Sequence, residues 1–214
     1  MSGIEGARRI NTNYGMPVFS RIELRDIAIA VAVLTASFTI IFARRWTLFS
    51  NDTMVNTAWW VLVSFLMVML SFILHELAHK FTAQRFGAWS EFRMYPTGLV
   101  LCLVMSVFGF LFAAPGAVYI RGYINDEMNG KISIAGPAVN IMISAISLAM
   151  CIIIDNDLSA GIFYLLGYMN AFLALFNLLP IPPLDGSKIM KWNTGIYVAT
   201  LIAAGALFAT TWII

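Results

Sequence analysis

The chain has 214 residues, 60% of them hydrophobic and only 11% charged, with a mean hydropathy of +0.83 and a formal net charge of +2. That composition excludes an ordinary soluble domain and points to an integral membrane protein built as one compact bundle. No basic patch is present to support nucleic-acid binding.

In chain order, residues 1–25 carry Asn, Gly, Pro and Arg and read as an interfacial arm ahead of a transmembrane domain at 26–214. The first apolar run starts only near Ile27, and no small-residue cleavage pattern follows it. A retained anchor is therefore expected, not a cleaved signal peptide. Crossing a bilayer takes about 20 residues. Segments apolar enough to do so lie near 27–43, 57–80, 98–118, 136–154, 159–179 and 194–214. Cys102 and Cys151 fall within such stretches, outside any metal-ligand spacing, and read as small core residues.

Segment 98–118, GLVLCLVMSVFGFLFAAPGAV, is ambiguous. Its Val and Phe content, central Ser-Val-Phe-Gly and late Pro115-Gly116 suit a re-entrant β-hairpin over 98–119 as well as a crossing helix. A wholly apolar run has no period to separate the two. Charge separates them. With six crossings the Lys and Arg residues split seven to six across the membrane. If the segment dips in and returns, eleven of the 13 lie on the N-terminal side and only Arg44 and Arg45 lie opposite. Cytoplasmic loops carry the excess of Lys and Arg, so this arrangement places the N-terminus inside. The expected fold is an all-α polytopic protein of the cell membrane, with about five (alternatively six) transmembrane helices and a membrane-associated β-hairpin.

The chemistry concentrates in SFILHELAHK, residues 71–80. On a helix, His75 and His79 lie one above the other and can bind one metal ion through their imidazoles. Glu76, about 100° round the helix, is placed to act as general base on a water instead of as a ligand. These are the chain's only 2 histidines. Chance would set two residues four apart in about one such chain in a hundred, so the pattern is a strong signal for metal. Lys80 marks the expected exit of this helix from the lipid.

Catalytic zinc usually takes three protein ligands. With no third histidine, a carboxylate is required. Asp52, Asp155 and Asp157 belong to loops on the opposite side, Asp126 and Glu127 to a polar loop, and Glu91 to a charged, exposed-looking stretch. Asp185, in FNLLPIPPLDG, arrives at the depth of His75 behind three prolines. Broken backbone at that depth is tolerated where it lines a wet cavity, and an acidic side chain there where it binds a cation. The stretch AGPAVN reads as a helix start at Gly136, with Pro137 in the first turn and Asn140 facing inward. Asn140 and Asn177 are candidate donors for a substrate backbone or an oxyanion, or else make helix-to-helix hydrogen bonds.

HELAHK, the GPAVN helix start and FNLLPIPPLDG together resemble the site-2 protease family of intramembrane zinc metalloproteases, over a core of about residues 57–190. The resemblance implies Zn2+ held by His75, His79 and Asp185, with Glu76 as catalytic base and Asn140 and Asn177 in substrate-handling positions. It also implies membrane-associated β structure after the metal helix. No segment has the length and polarity of a PDZ domain, and none resembles a cystathionine-β-synthase-type nucleotide-binding region, so the compact build is most similar to archaeal members. The expected activity is endoproteolysis of membrane-anchored substrates within their transmembrane helices, in the lipid bilayer, with the active site opening to the cytoplasm. A membrane zinc transporter and a catalytically inactive helix-binding homologue are the alternatives, and the intact Glu76 argues against both.

Overall fold

The computed structural model describes residues 19–47, 53–110 and 115–214. Residues 1–18, most of the expected arm, lie outside the described residues, and helix α1 (Arg21–Thr47) already occupies the end of that segment. Helix α2 (Thr53–Met67) passes through a π-helical segment, Val68–Ile73, directly into α3 (Leu74–Arg85). Strand β1 (Trp89–Met94), α4 (Pro96–Val107) and β2 (Gly116–Arg121) follow. The chain then forms α5 (Asp126–Ile153), α6 (Asp157–Asn177), α7 (Asp185–Trp192) and α8 (Thr194–Thr210).

Side chains fix several of these boundaries. Asn125, Asn156 and Asn193 each cap a helix, accepting hydrogen bonds from the backbone N–H of Met128, Ser159 and Ile196 respectively. Pro96 opens α4, where its missing N–H costs nothing. Among the described residues, four helical spans are long and apolar enough to cross a membrane: Arg21–Ala43, Ala58–Arg85, Asp126–Ile153 and Asp157–Asn177. Helices α4 and α8 are apolar but shorter.

Three expectations need correction. Residues 98–119 do not form a hairpin by themselves. The two strands flank the segment instead, pairing antiparallel from Trp89 with Arg121 to Met94 with Gly116, and α4 lies between them. At 1.5 Å per residue, the 12 residues of α4 reach about 18 Å, short of a hydrocarbon core of about 30 Å. Pairing of Met94 with Gly116 brings the two ends of the segment together. The second correction concerns α5, which begins ten residues before Gly136, so Pro137 lies inside the helix and not in its first turn. The Asn125 cap and the acidic first turn, Asp126 and Glu127, start the helix in its polar portion.

Helix α5 is the centre of the packing, lying against α3, α6 and α7. One core cluster joins α1, the π-helical segment and α4 through Leu34, Phe38, Val68, Ile73 and the fully buried Cys102. A second joins α6, α7 and α8 through Ala174, Leu178, Ile189, Tyr197 and Ala204. Lys80 does not leave the packed interior as expected. It is fully buried, with Nζ at 2.7 and 2.6 Å from the two carboxylate oxygens of Glu23 on α1.

Candidate metal centre

Two chain segments meet at one point beside α5. From α3, His75 and His79 turn their Nε2 atoms to within 3.0 Å of each other. From the start of α7, Asp185 brings Oδ2 to 3.5 Å from His75 Nε2 and 3.0 Å from His79 Nε2. Tetrahedral ligands about 2.0–2.1 Å from a zinc ion lie about 3.3 Å apart, so these spacings match the edges of one zinc coordination shell. Among the described residues, these three form the group of His, Cys, Asp and Glu whose ligand atoms converge in this way, and all three are buried.

The donor chemistry fits the ion as well. His79 Nδ1 lies 2.8 Å from the carbonyl of Ile132, which can only accept, so the ring proton sits on Nδ1 and the Nε2 lone pair is free. His75 Nδ1 is hydrogen-bonded in the same sense to Asn140 Oδ1. Asp185 completes the set with a buried carboxylate whose Oδ2 faces both imidazoles. Its other oxygen, Oδ1, lies 3.5 Å from Lys188 Nζ.

The space between the ligands is kept open by Gly136. A Cβ built there would fall 2.6 Å from His75 Nε2 and closer still to His79 Nε2, inside the cradle the two rings define. Pro137, next to it, supplies no N–H to the carbonyl of Ser133. Asp185 is delivered by a sharp break after α6: residues 179–183 are exposed, and Leu184 leads into α7. Gly186 lets this turn press on the end of α6, because a Cβ there would overlap the Leu178 carbonyl.

Glu76 is half-buried beside the ligands and is not one of them. Its Oε2 accepts a hydrogen bond from the backbone N–H of Val118 at 3.1 Å. Val118 therefore points its N–H away from β1, and the second edge of β2 faces the Glu76 carboxylate.

The two asparagines separate. Asn140 lies behind His75, fully buried, with its Nδ2 donating to the Ser71 carbonyl (2.9 Å) and to Asn170 Oδ1 (2.7 Å). Every polar atom of its side chain is engaged within the protein, in the helix-to-helix hydrogen bonds that stood beside substrate contact as the alternative for this residue. Asn177, half-buried at the end of α6, donates to the Leu173 carbonyl of its own helix at 2.9 Å and does not join the cluster. Sequence reasoning missed Asn170. The available signal was an asparagine amid the apolar run of α6.

The model of peptidase family M50 matches residues 153–201. A provisionally named zinc metalloprotease of Methanocaldococcus jannaschii is 37% identical over 185 residues, covering 84% of this chain and 88% of the relative. A similarly named protein of Bacillus subtilis is 33% identical, covering 58% of this chain and 65% of its own length. A second M. jannaschii protein, named a zinc metalloprotease, is 30% identical, over 64% of this chain and 36% of that longer relative. No solved structure matches the chain.

Proposed function

This chain belongs to peptidase family M50, the site-2 protease family, and is a multi-pass zinc metalloendopeptidase; we propose that it cuts peptide bonds within the transmembrane helices of membrane-anchored proteins. The observation that carries this reading is the position of the cluster. His75, Glu76 and His79 lie on the apolar helical run Ala58–Arg85, and their partner Asp185 follows the apolar α6.

His75, His79 and Asp185 would hold the zinc ion, which when bound would supply Lewis acidity toward a water molecule and a peptide carbonyl. Glu76 takes the proton of the attacking water on its carboxylate and delivers it to the departing amine. The Val118 N–H fixes one oxygen of that carboxylate, leaving the other to exchange the proton. Asn177 is the remaining candidate for holding a substrate backbone.

A helical carbonyl is hydrogen-bonded and covered, so the substrate must unwind locally before attack. Strand β2 suits that state. Its outer edge carries the Val118 N–H that Glu76 accepts, and the backbone groups of Gly116 and Ile120, two residues away on either side, point the same way. An unwound segment adding along this edge would lie beside Glu76. The excess of Lys and Arg on one side supports a cytoplasmic N-terminus, with water reaching the site past the exposed residues 179–183.

The test is metal analysis together with cleavage of a panel of transmembrane peptides in detergent or proteoliposomes, comparing wild type with Glu76→Gln. Retained zinc and lost cleavage in the variant support the reading. A wild type that moves zinc across vesicles and never cuts a peptide overturns it.

A further inference from the structure

Behind His75, on the side away from the reaction, a chain of side-chain amides crosses from α5 to α6. Asn140 and Asn170 are both fully buried. Asn170 Nδ2 donates to the Leu166 carbonyl and to the Ser71 hydroxyl, each at 2.9 Å. Its Oδ1 accepts from Asn140 Nδ2 at 2.7 Å, and the same Nδ2 donates to the Ser71 carbonyl at 2.9 Å. Asn140 Oδ1 is left facing His75 Nδ1.

The two backbone carbonyls give this chain its direction, because a carbonyl can only accept. Leu166 fixes Asn170 with its nitrogen toward α6 and its oxygen toward Asn140. The Ser71 carbonyl and the Asn170 oxygen together claim both N–H bonds of Asn140, so its oxygen must face His75. An oxygen at Nδ1 requires the ring proton there, and a neutral imidazole so protonated has a bare lone pair on Nε2. A flipped Asn140 would present N–H to Nδ1, move the ring proton to Nε2 and block the nitrogen that faces His79 and Asp185.

We infer that Asn170 is a positioning residue of the metal centre: through Asn140 it holds His75 in the tautomer that can bind zinc. The inference rests on the metal reading of the cluster. It adds a residue from α6, two hydrogen bonds removed from the ion, whose function is the polarity of an amide and not contact with zinc or substrate.

The experiment is a zinc titration of the full-length protein in detergent against a competing chromophoric chelator. Helix content and monodispersity are measured on every variant. Asn170→Leu removes the acceptor at similar volume, and zinc affinity is expected to fall about 10–100-fold, the usual effect of losing an outer partner of a ligand. Asn140→Asp supplies the discriminating background, because a carboxylate presents oxygen to His75 in either orientation. There, adding Asn170→Leu is expected to cost no further affinity relative to Asn140→Asp, because the orientation it enforces no longer matters. If the asparagines serve only as packing or helix-to-helix contacts, the double variant binds more weakly than either single variant, and the inference is overturned. Parental affinity in Asn170→Leu also overturns it. Should Asn170→Leu not fold, Asn170→Asp carries the test, since it still accepts from Asn140 but cannot donate to Leu166. Its affinity is expected within about threefold of wild type, and a loss in the 10–100-fold range refutes the inference. Failure of the metal reading looks different, because wild type itself would then hold no zinc in the same titration.

Discussion

Replacing Gly136 by alanine should remove zinc while leaving most of the fold in place. A Cβ at this position lies 2.6 Å from His75 Nε2 and nearer to His79 Nε2, where an unstrained contact needs about 3.5 Å. The rings would have to retreat by about 1 Å, against a tolerance of about 0.2 Å in zinc–ligand distance. Neither can do so freely. His79 is tied at Nδ1 to the Ile132 carbonyl at 2.8 Å, and His75 to an Asn140 whose own nitrogen is held twice. Displacing a ligand should cost more than losing an outer-shell partner, so zinc affinity should fall more than about 100-fold, or about 2.7 kcal/mol. Helix α5 itself should tolerate the change, since alanine is the better helix former by about 1 kcal/mol. Chelator-competition titration reads the affinity, and melting with and without zinc reads the folded state. Stoichiometric zinc at parental affinity in Gly136→Ala would refute this account of the cradle.

Glu76→Gln should retain zinc and lose about 10²–10⁴-fold in turnover, the range for removing a general base; equal loss of metal would move Glu76 into the ligand set. Glu23→Gln or Lys80→Met should each destabilise the protein by about 3–5 kcal/mol, because each leaves one charge buried without its partner. The double replacement should cost less than either single change by the same denaturation assay. Ile120→Pro removes an outward N–H from the free edge of β2 and should lower kcat/KM for peptide cleavage while zinc stays bound; unchanged cleavage would exclude strand addition at that edge.

The metal centre was more legible in the sequence than the architecture that holds it. His75, Glu76 and His79 follow from helical spacing alone, and Asp185 from the proline-broken end of an apolar run. Both signals are local. The start of α5 was legible too, in Asn125-Asp126-Glu127, but hydropathy passes over a polar first turn, and Pro137 imitates a helix start. The strands lie outside the apolar segment that drew attention. In β1 the alternation is obscured because Ser90 and Phe92 are the buried residues, one polar and one apolar. Residues 98–107 are apolar all round, and no period separates helix from strand there. Asn140 was singled out correctly as inward-facing, but which groups it meets was left open. Its partners come from positions 65 and 30 residues away, and nothing in local spacing carries that information.

That long-range pairing has a physical cause. Between helices immersed in lipid, burial of apolar surface gives little preference for one packing over another, so small residues and polar contacts specify the arrangement. In this chain two networks of buried polar groups adjoin the site. Glu23 on α1 accepts from Lys80, the residue after ligand His79, and from the N–H of Phe92 in β1 at 2.9 Å. Phe92 pairs with Val118 in β2, and Val118 donates to Glu76. One carboxylate on the first helix thus aligns the sheet, the sheet aligns the base, and the same carboxylate anchors the ligand helix. On the opposite side Ser71, Asn140 and Asn170 tie that helix to α5 and α6. The contacts that order the bundle are the contacts that order the metal centre, so a lesion in either network should reach zinc or catalysis before it reaches helix content.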